Sequence, residues 1–279
     1  MSLRKTNTPF FFIIAVLFLS SCTSSRSSLS EPLQPLPTTK GDIRVSTSFG
    51  GFSDANLAGN IQAAYTMKDR ISVGLNYYGV GRKLSDERGD DYQKSFMGEG
   101  FVGMNWFKPL KIYQEGEEEQ VDSPYNGIQF DVSVGFGVNN IHSRLLEGAN
   151  DFNPVPTDNA GVLKYHTRYA FLQTGLVVRS KWVDVGMSLR GVGLKYISGE
   201  VNNQNFSDRQ ILFRDQAEED GVFAFLETGF RFAVGGPKVK VFTSISVVSN
   251  VFGDKTMVHL PRPLLLGLEF NLGEFSKKE

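Results

Sequence analysis

The side chains best suited to nucleophilic or acid–base work in this chain are Cys22, its only cysteine, and three histidines, His142, His166 and His259. A lone thiol excludes an internal disulfide and leaves modification or intermolecular chemistry at the sulfur. His142 is followed by Ser143, but neighbours on a strand point to opposite faces, so the two cannot share a proton as base and nucleophile must. His166 and Arg168 are two apart and share a face, with His142 expected near the same end of the preceding segment. The two imidazoles would approach each other at a rim, where polar loop histidines are also the commonplace arrangement. His259 precedes Pro261 in a loop. No His, Cys, Asp and Glu spacing matches a metal site. The glycines of "GVGLKYISG" and "VGFGVNN" precede no helix that could receive a phosphate, and read instead as room for interior side chains. No cofactor is expected.

A second set of residues gains meaning from its spacing. Arg44, Glu99, Asp131, Asp184, Arg190, Glu227, Arg231 and Glu269 all fall on the polar side of segments that alternate at period two. The opposite sides are apolar: Ile43, Val45 and Phe49; Ile61, Tyr65 and Met67; Ile71, Val73, Leu75 and Tyr77; Val102, Met104 and Trp106; Ile128 through Val138; Val183 through Leu189; Leu226, Phe230 and Phe232; Val239, Val241, Ile245 and Val247; Leu264 through Leu272. Lysine is nearly absent from the middle of the polar sides, and Ser, Gly and Asn dominate them. A water-exposed sheet face would be rich in Lys, Glu and Thr. The crowded polar face fits the inside of a small barrel whose apolar wall faces lipid. Eight charges placed there must form an ion-pair network, because an unpaired buried charge costs several kcal/mol. Arg44 and Glu269 are expected to meet where the first and last strands close the barrel.

These segments predict an all-β, antiparallel, up-and-down transmembrane β-barrel of about ten strands, with eight or twelve as neighbouring solutions. A soluble lipocalin-like barrel or sandwich is the competing architecture. The segment about Leu163 to Val178 is the least regular, and its phase shift near Phe171 predicts a bulge there. One set of connections is short, "KDR" at 68–70, "SK" at 180–181 and "GGP" at 235–237, with a longer acidic one over 108–124. The other set, at 50–56, 80–94, 139–161, 197–220 and 249–262, contains most of the long loops. Short turns inside and long loops outside are the asymmetry of outer-membrane barrels. Trp106 and Trp182 fall beside connections of the first set, where indoles favour a membrane interface.

Basic Arg4 and Lys5 followed by apolar Phe10–Leu19 have the layout of a secretory signal too short to span a bilayer. Leu19-Ser20-Ser21-Cys22 resembles the lipobox of bacterial lipoproteins, which implies cleavage before Cys22 and a covalent lipid on it. No acidic residue follows in "CTSSRSSLS", which by the same resemblance keeps the N-terminus on the periplasmic side. "SVGLNYYGVG", "DVSVGFGV" and "FLETGFRFAVGG" are similar to strands of small Gram-negative outer-membrane β-barrel proteins. The expected organisation is a signal peptide at 1–21, a Ser/Pro-rich flexible tether at 22–40, a barrel at 41–275 and a tail at 276–279. Balanced charge argues against nucleic acid. The expected partners are outer-membrane lipids, the covalent lipid at Cys22 and an envelope protein. The expected role is structural, adhesive or accessory through the outer loops. Alternatives are a narrow channel, a rim-located proteolytic or lipid-modifying enzyme, and a tethered soluble barrel binding a small apolar ligand.

Overall fold

Period-two alternation is what a strand needs when its two faces meet different surroundings, and every regular element described is a strand. The computed structural model describes residues 34–50, 56–68, 70–83, 92–113, 120–145, 161–202, 222–252 and 264–273. The strands are β1 (Ile43–Gly50), β2 (Asn56–Lys68), β3 (Ile71–Lys83), β4 (Tyr92–Tyr113), β5 (Gln120–Leu145), β6 (Gly161–Arg179), β7 (Val183–Asn202), β8 (Val222–Gly235), β9 (Val239–Phe252) and β10 (Leu265–Asn271). Each pairs antiparallel with the next, and β1 also pairs with β10, with Arg44 opposite Asn271 and Phe49 opposite Leu266. The result is a closed ten-stranded up-and-down barrel, so eight and twelve strands are excluded. Closure leaves no sheet edge.

One end carries the tight connections at 68–71, 179–183 and 235–239, and is called the turn end; the opposite is the loop end. At the turn end Arg70 takes a left-handed φ of 72°. Ser180 holds its own turn, its Oγ accepting from the backbone of Val183 and donating to the Val183 carbonyl. A Cβ on Gly235 would stand 2.4 Å from the Val239 carbonyl oxygen, which excludes any side chain there.

Three expectations need correction. The acidic connection expected over 108–124 is mostly strand, with β4 and β5 pairing out to Tyr113 opposite Gln120 and an irregularity between Pro109 and Lys111. Two of the long loops start later than their hydropathy suggested, since β5 runs to Leu145 and β7 to Asn202. Ladder pairing continues there although the residues turn polar. The bulge expected near Phe171 is also displaced. β6 alternates without a break from His166 to Val178, and the irregularity lies between His166 and Thr167, with Ile197 as the extra residue on β7. The misreading arose because β6 points Tyr169, Phe171 and Val177 inward, against the polar-inside rule.

Those aromatics belong to an apolar cluster filling the interior toward the loop end, with Met97, Phe101, Ile141, Leu194, Tyr196, Phe223 and Phe225. Inward glycines make room for it. A Cβ on Gly74 would lie 2.3 Å from the Phe101 ring and one on Gly135 2.5 Å from the Phe171 ring, each aromatic lying over its cross-strand glycine. Gly191 and Gly193 of "GVGLKYISG" do not share this role, because they face outward. The interior is thus aromatic toward the loop end and charged toward the turn end.

Candidate functional site

The charged half of the interior is built from every strand except β2 and β3, which add polar groups. All eight charged residues singled out by spacing are buried inside, together with Lys240. Arg179 shares their inward parity. Among the described side chains Arg44, Arg179, Arg190, Arg231 and Lys240 face Glu99, Asp131, Asp184, Glu227 and Glu269, five cations to five carboxylates. That balance is what burial demands.

Arg190 is the centre of one network. Its guanidinium pairs with Glu99 and stands 3.7 Å from Glu227 Oε2. Glu99 also accepts from Asn76 Nδ2 at 2.9 Å and from the Tyr169 hydroxyl at 2.8 Å. The Arg190 guanidinium lies 3.9 Å from the Phe171 ring centroid, so one aromatic ring supports the cation while the Tyr169 hydroxyl donates to its carboxylate partner. β3, β4, β6, β7 and β8 are joined through these few side chains.

Glu269 is the centre of a second network. Arg231 donates to its Oε2 at 2.5 Å, and Arg44 Nε lies 3.5 Å from its Oε1. Arg44 and Glu269 therefore meet across the closing seam, but Glu269 is shared with Arg231. Asp184 pairs with Lys240 at 2.6 Å. Asp131 instead accepts from Gln129 Nε2 at 2.6 Å and from the Leu36 amide at 3.3 Å.

The Leu36 contact shows what the tether reading missed. Gln34, Pro35, Leu36 and Pro37 are buried inside the barrel, with Leu36 only 2% exposed. The Gln34 amide donates to Gln62 Oε1, and the Pro35 carbonyl accepts from Arg44. Gln129 Nε2 donates to the Leu36 carbonyl at 2.9 Å; Thr66 Oγ1 and Asn105 Nδ2 donate to that of Pro37 at 3.0 and 2.8 Å. Proline carries no amide hydrogen, so this extended segment brings few donors needing partners and several carbonyls that the wall can satisfy. It runs from mid-height at Gln34 to the turn end, where Gly41 and Asp42 lead into β1. Small cavities remain beside it, one lined by Ser133, Gln173, Ser188 and Arg231 and another at the turn end beside Arg44, Asp184, Lys240 and Glu269.

The histidines stand elsewhere. His166 is exposed on the outer wall with Nδ1 2.6 Å from Asn140 Oδ1. His142 is on the same wall, across the ladder from Lys94 and Lys164. Burial first, then Lys164 and Lys94, hold its pKa below 6.5. Cys22, His259 and most of the long connections at 139–161 and 197–220 lie outside the described residues. Among the described residues no cluster of His, Cys, Asp and Glu could hold a metal.

Lys240, Arg179 and the 34–37 segment escaped sequence reading. Lys240 has the parity of Ser244 and Ser246, a usable signal, whereas the insertion of 34–37 is non-local and leaves no periodic trace. Together these features define a class, a closed β-barrel with a charged, self-plugged interior and an apolar outer wall. No known family model matches the chain, and no curated protein matches it in sequence.

Proposed function

We propose that the protein is an outer-membrane β-barrel lipoprotein with a structural or accessory role, anchored additionally by lipid on Cys22 and presenting its loop end to a partner. One observation carries the reading: the barrel's polarity is inverted relative to a water-soluble protein. Phe136 is 71% exposed, Leu75 69% and Phe49 65%, while Arg190, Glu227 and Glu269 are 1% exposed or less. Among strand residues with described side chains, no outward position holds Asp or Glu. Such a wall in water would forfeit about 25 cal/mol for each Å² of apolar surface.

The height of the wall fits. On β5 the apolar band runs from Ile128 to Val138, and ten steps of about 3.4 Å on a strand tilted about 40° rise about 26 Å. A bilayer-spanning barrel carries an apolar band about 25 Å tall. Exposed Lys68, Arg70, Lys108, Lys181 and Lys238 border it at the turn end. Exposed Trp182, with Lys181 Nζ 5.4 Å from its ring centroid, and the Trp106–Phe130 pair sit at that border. Short turns favour this end as periplasmic.

The interior argues against the channel reading. The 34–37 segment, the ion pairs and the aromatic cluster fill what a pore would leave open. It argues equally against a small apolar ligand, since the turn half is charged.

The test is gel migration with and without heating, combined with protease treatment of intact cells and a Cys22→Ala variant. A compact unheated species that stays membrane-bound in Cys22→Ala, cut at 146–160 or 203–221 from outside, is the expected result. Release of Cys22→Ala into the soluble fraction without a heat shift would replace this reading with a tethered soluble barrel.

A further inference from the structure

The outer wall is not evenly bordered at the loop end. Lys94 on β4, Lys164 and Arg168 on β6 and Lys195 on β7 are exposed outward, with His142 and His166 among them. On the other six strands the outward residues with described side chains nearest that end are Phe49, Gly59, Gly81, Val222, Val251 and Leu266, none charged. Among the described side chains the basic residues therefore form one sector, over β4 to β7.

Their arrangement is costly for an isolated protein. Lys94, His142 and Lys164 are opposite one another across β4, β5 and β6, and Arg168 is opposite Lys195 across β6 and β7. Like charges directly opposite on a sheet destabilise it. Glu200 takes the register position opposite Lys164.

These residues also sit at one particular height. Lys94, Arg168 and Lys195 are the first outward positions beyond Phe96, Ala170 and Gly193. Below them the wall carries two outward glycine strips, Gly98 with Gly100 and Gly191 with Gly193. A Cβ on Gly98, Gly191 or Gly193 would meet nothing within 4 Å. Between the strips stand the exposed side chains of Phe136 and Leu172. Shallow apolar grooves flanking a ridge thus run up to a cluster of cations.

We propose that this sector binds an anionic phospholipid, with the headgroup phosphate on Lys94, Lys164, Arg168 and Lys195 and the acyl chains in the two glycine-floored grooves. The inference rests on the membrane reading above. A free anion would have no use for the grooves, and a neutral lipid none for the cations. The anion offsets the repulsion between Arg168 and Lys195, which stand directly opposite one another, and this gives the site its selectivity for charge.

The test uses the full-length barrel in zwitterionic micelles, with phosphatidic acid, phosphatidylcholine or inorganic phosphate added and retained lipid read by native mass spectrometry. Phosphatidic acid should be retained, phosphatidylcholine lost, and inorganic phosphate should not compete. The Lys164→Gln/Arg168→Gln/Lys195→Gln variant should weaken retention by about fivefold per removed cation, and Lys164→Arg/Arg168→Lys/Lys195→Arg should keep it. Gly191→Leu/Gly193→Leu fills one groove without touching a charge and should weaken retention too, while unheated gel migration verifies that each variant is folded. Undiminished retention by the folded neutralised variant, or full competition by inorganic phosphate, overturns the proposal alone. A wild-type barrel that stays soluble without detergent overturns the membrane reading and this site with it.

Discussion

Two guanidinium groups converge on Glu269, and the consequence differs from a simple seam pair. Glu269→Gln removes the carboxylate from Arg231 and Arg44 together. It should cost about 3–5 kcal/mol, read from urea unfolding in micelles. Reversing both seam charges, Arg44→Glu with Glu269→Arg, should not restore wild-type stability, because Arg231 would then face a second guanidinium and the Pro35 carbonyl would lose its donor. Full restoration would show that the Arg231 contact is energetically idle. On the outer wall, His142 carries a depressed pKa. Its protonation is disfavoured in the folded protein, so it withdraws stability as pH falls below its unfolded value. Lys94→Gln/Lys164→Gln should raise that pKa in an NMR titration; an unmoved value would assign the depression wholly to burial, its largest cause.

At the scale of elements, the inserted segment and the wall are matched one against the other. A Cβ on Gly103 would stand 2.6 Å from Leu36 Cδ1 and 3.1 Å from Ser133 Cβ. Gly103→Ala should therefore destabilise by about 1–3 kcal/mol and Leu36→Ala by about 2 kcal/mol. The double variant should lose less than the sum, with a coupling of about 1 kcal/mol or more in a double-mutant cycle. Strict additivity would mean that the segment leaves the interior in solution. The glycine is legible in sequence only as a small inward residue, and the side chain it accommodates lies far away in the chain.

At the scale of the molecule, the polarity pattern changes with height. Through the apolar band the barrel is greasy outside and charged within. Toward the loop end, on β4 to β7, the outside turns basic while the inside turns aromatic. That change supports the membrane reading proposed above. The filled interior predicts that the purified barrel shows no steady single-channel conductance in planar bilayers, whereas replacing Gln34 to Pro37 with glycines should produce transient openings. Steady wild-type conductance would restore the channel reading.

Alternation alone determined that the chain is built of strands and, β6 apart, the inward placement of Arg44, Glu99, Asp131, Asp184, Arg190, Glu227, Arg231 and Glu269, because side-chain direction on a strand follows residue parity. It also implied their pairing, since eight buried charges cannot stand alone. Tertiary structure decided which charges meet, because register and closure set neighbours that are up to 227 residues apart, as in the Arg44–Asn271 hydrogen bond. It likewise decided that Gln34–Pro37 fills the interior rather than trailing as a spacer. Nothing in a proline-rich stretch reveals the cavity that will accept its carbonyls until ten strands have closed around it.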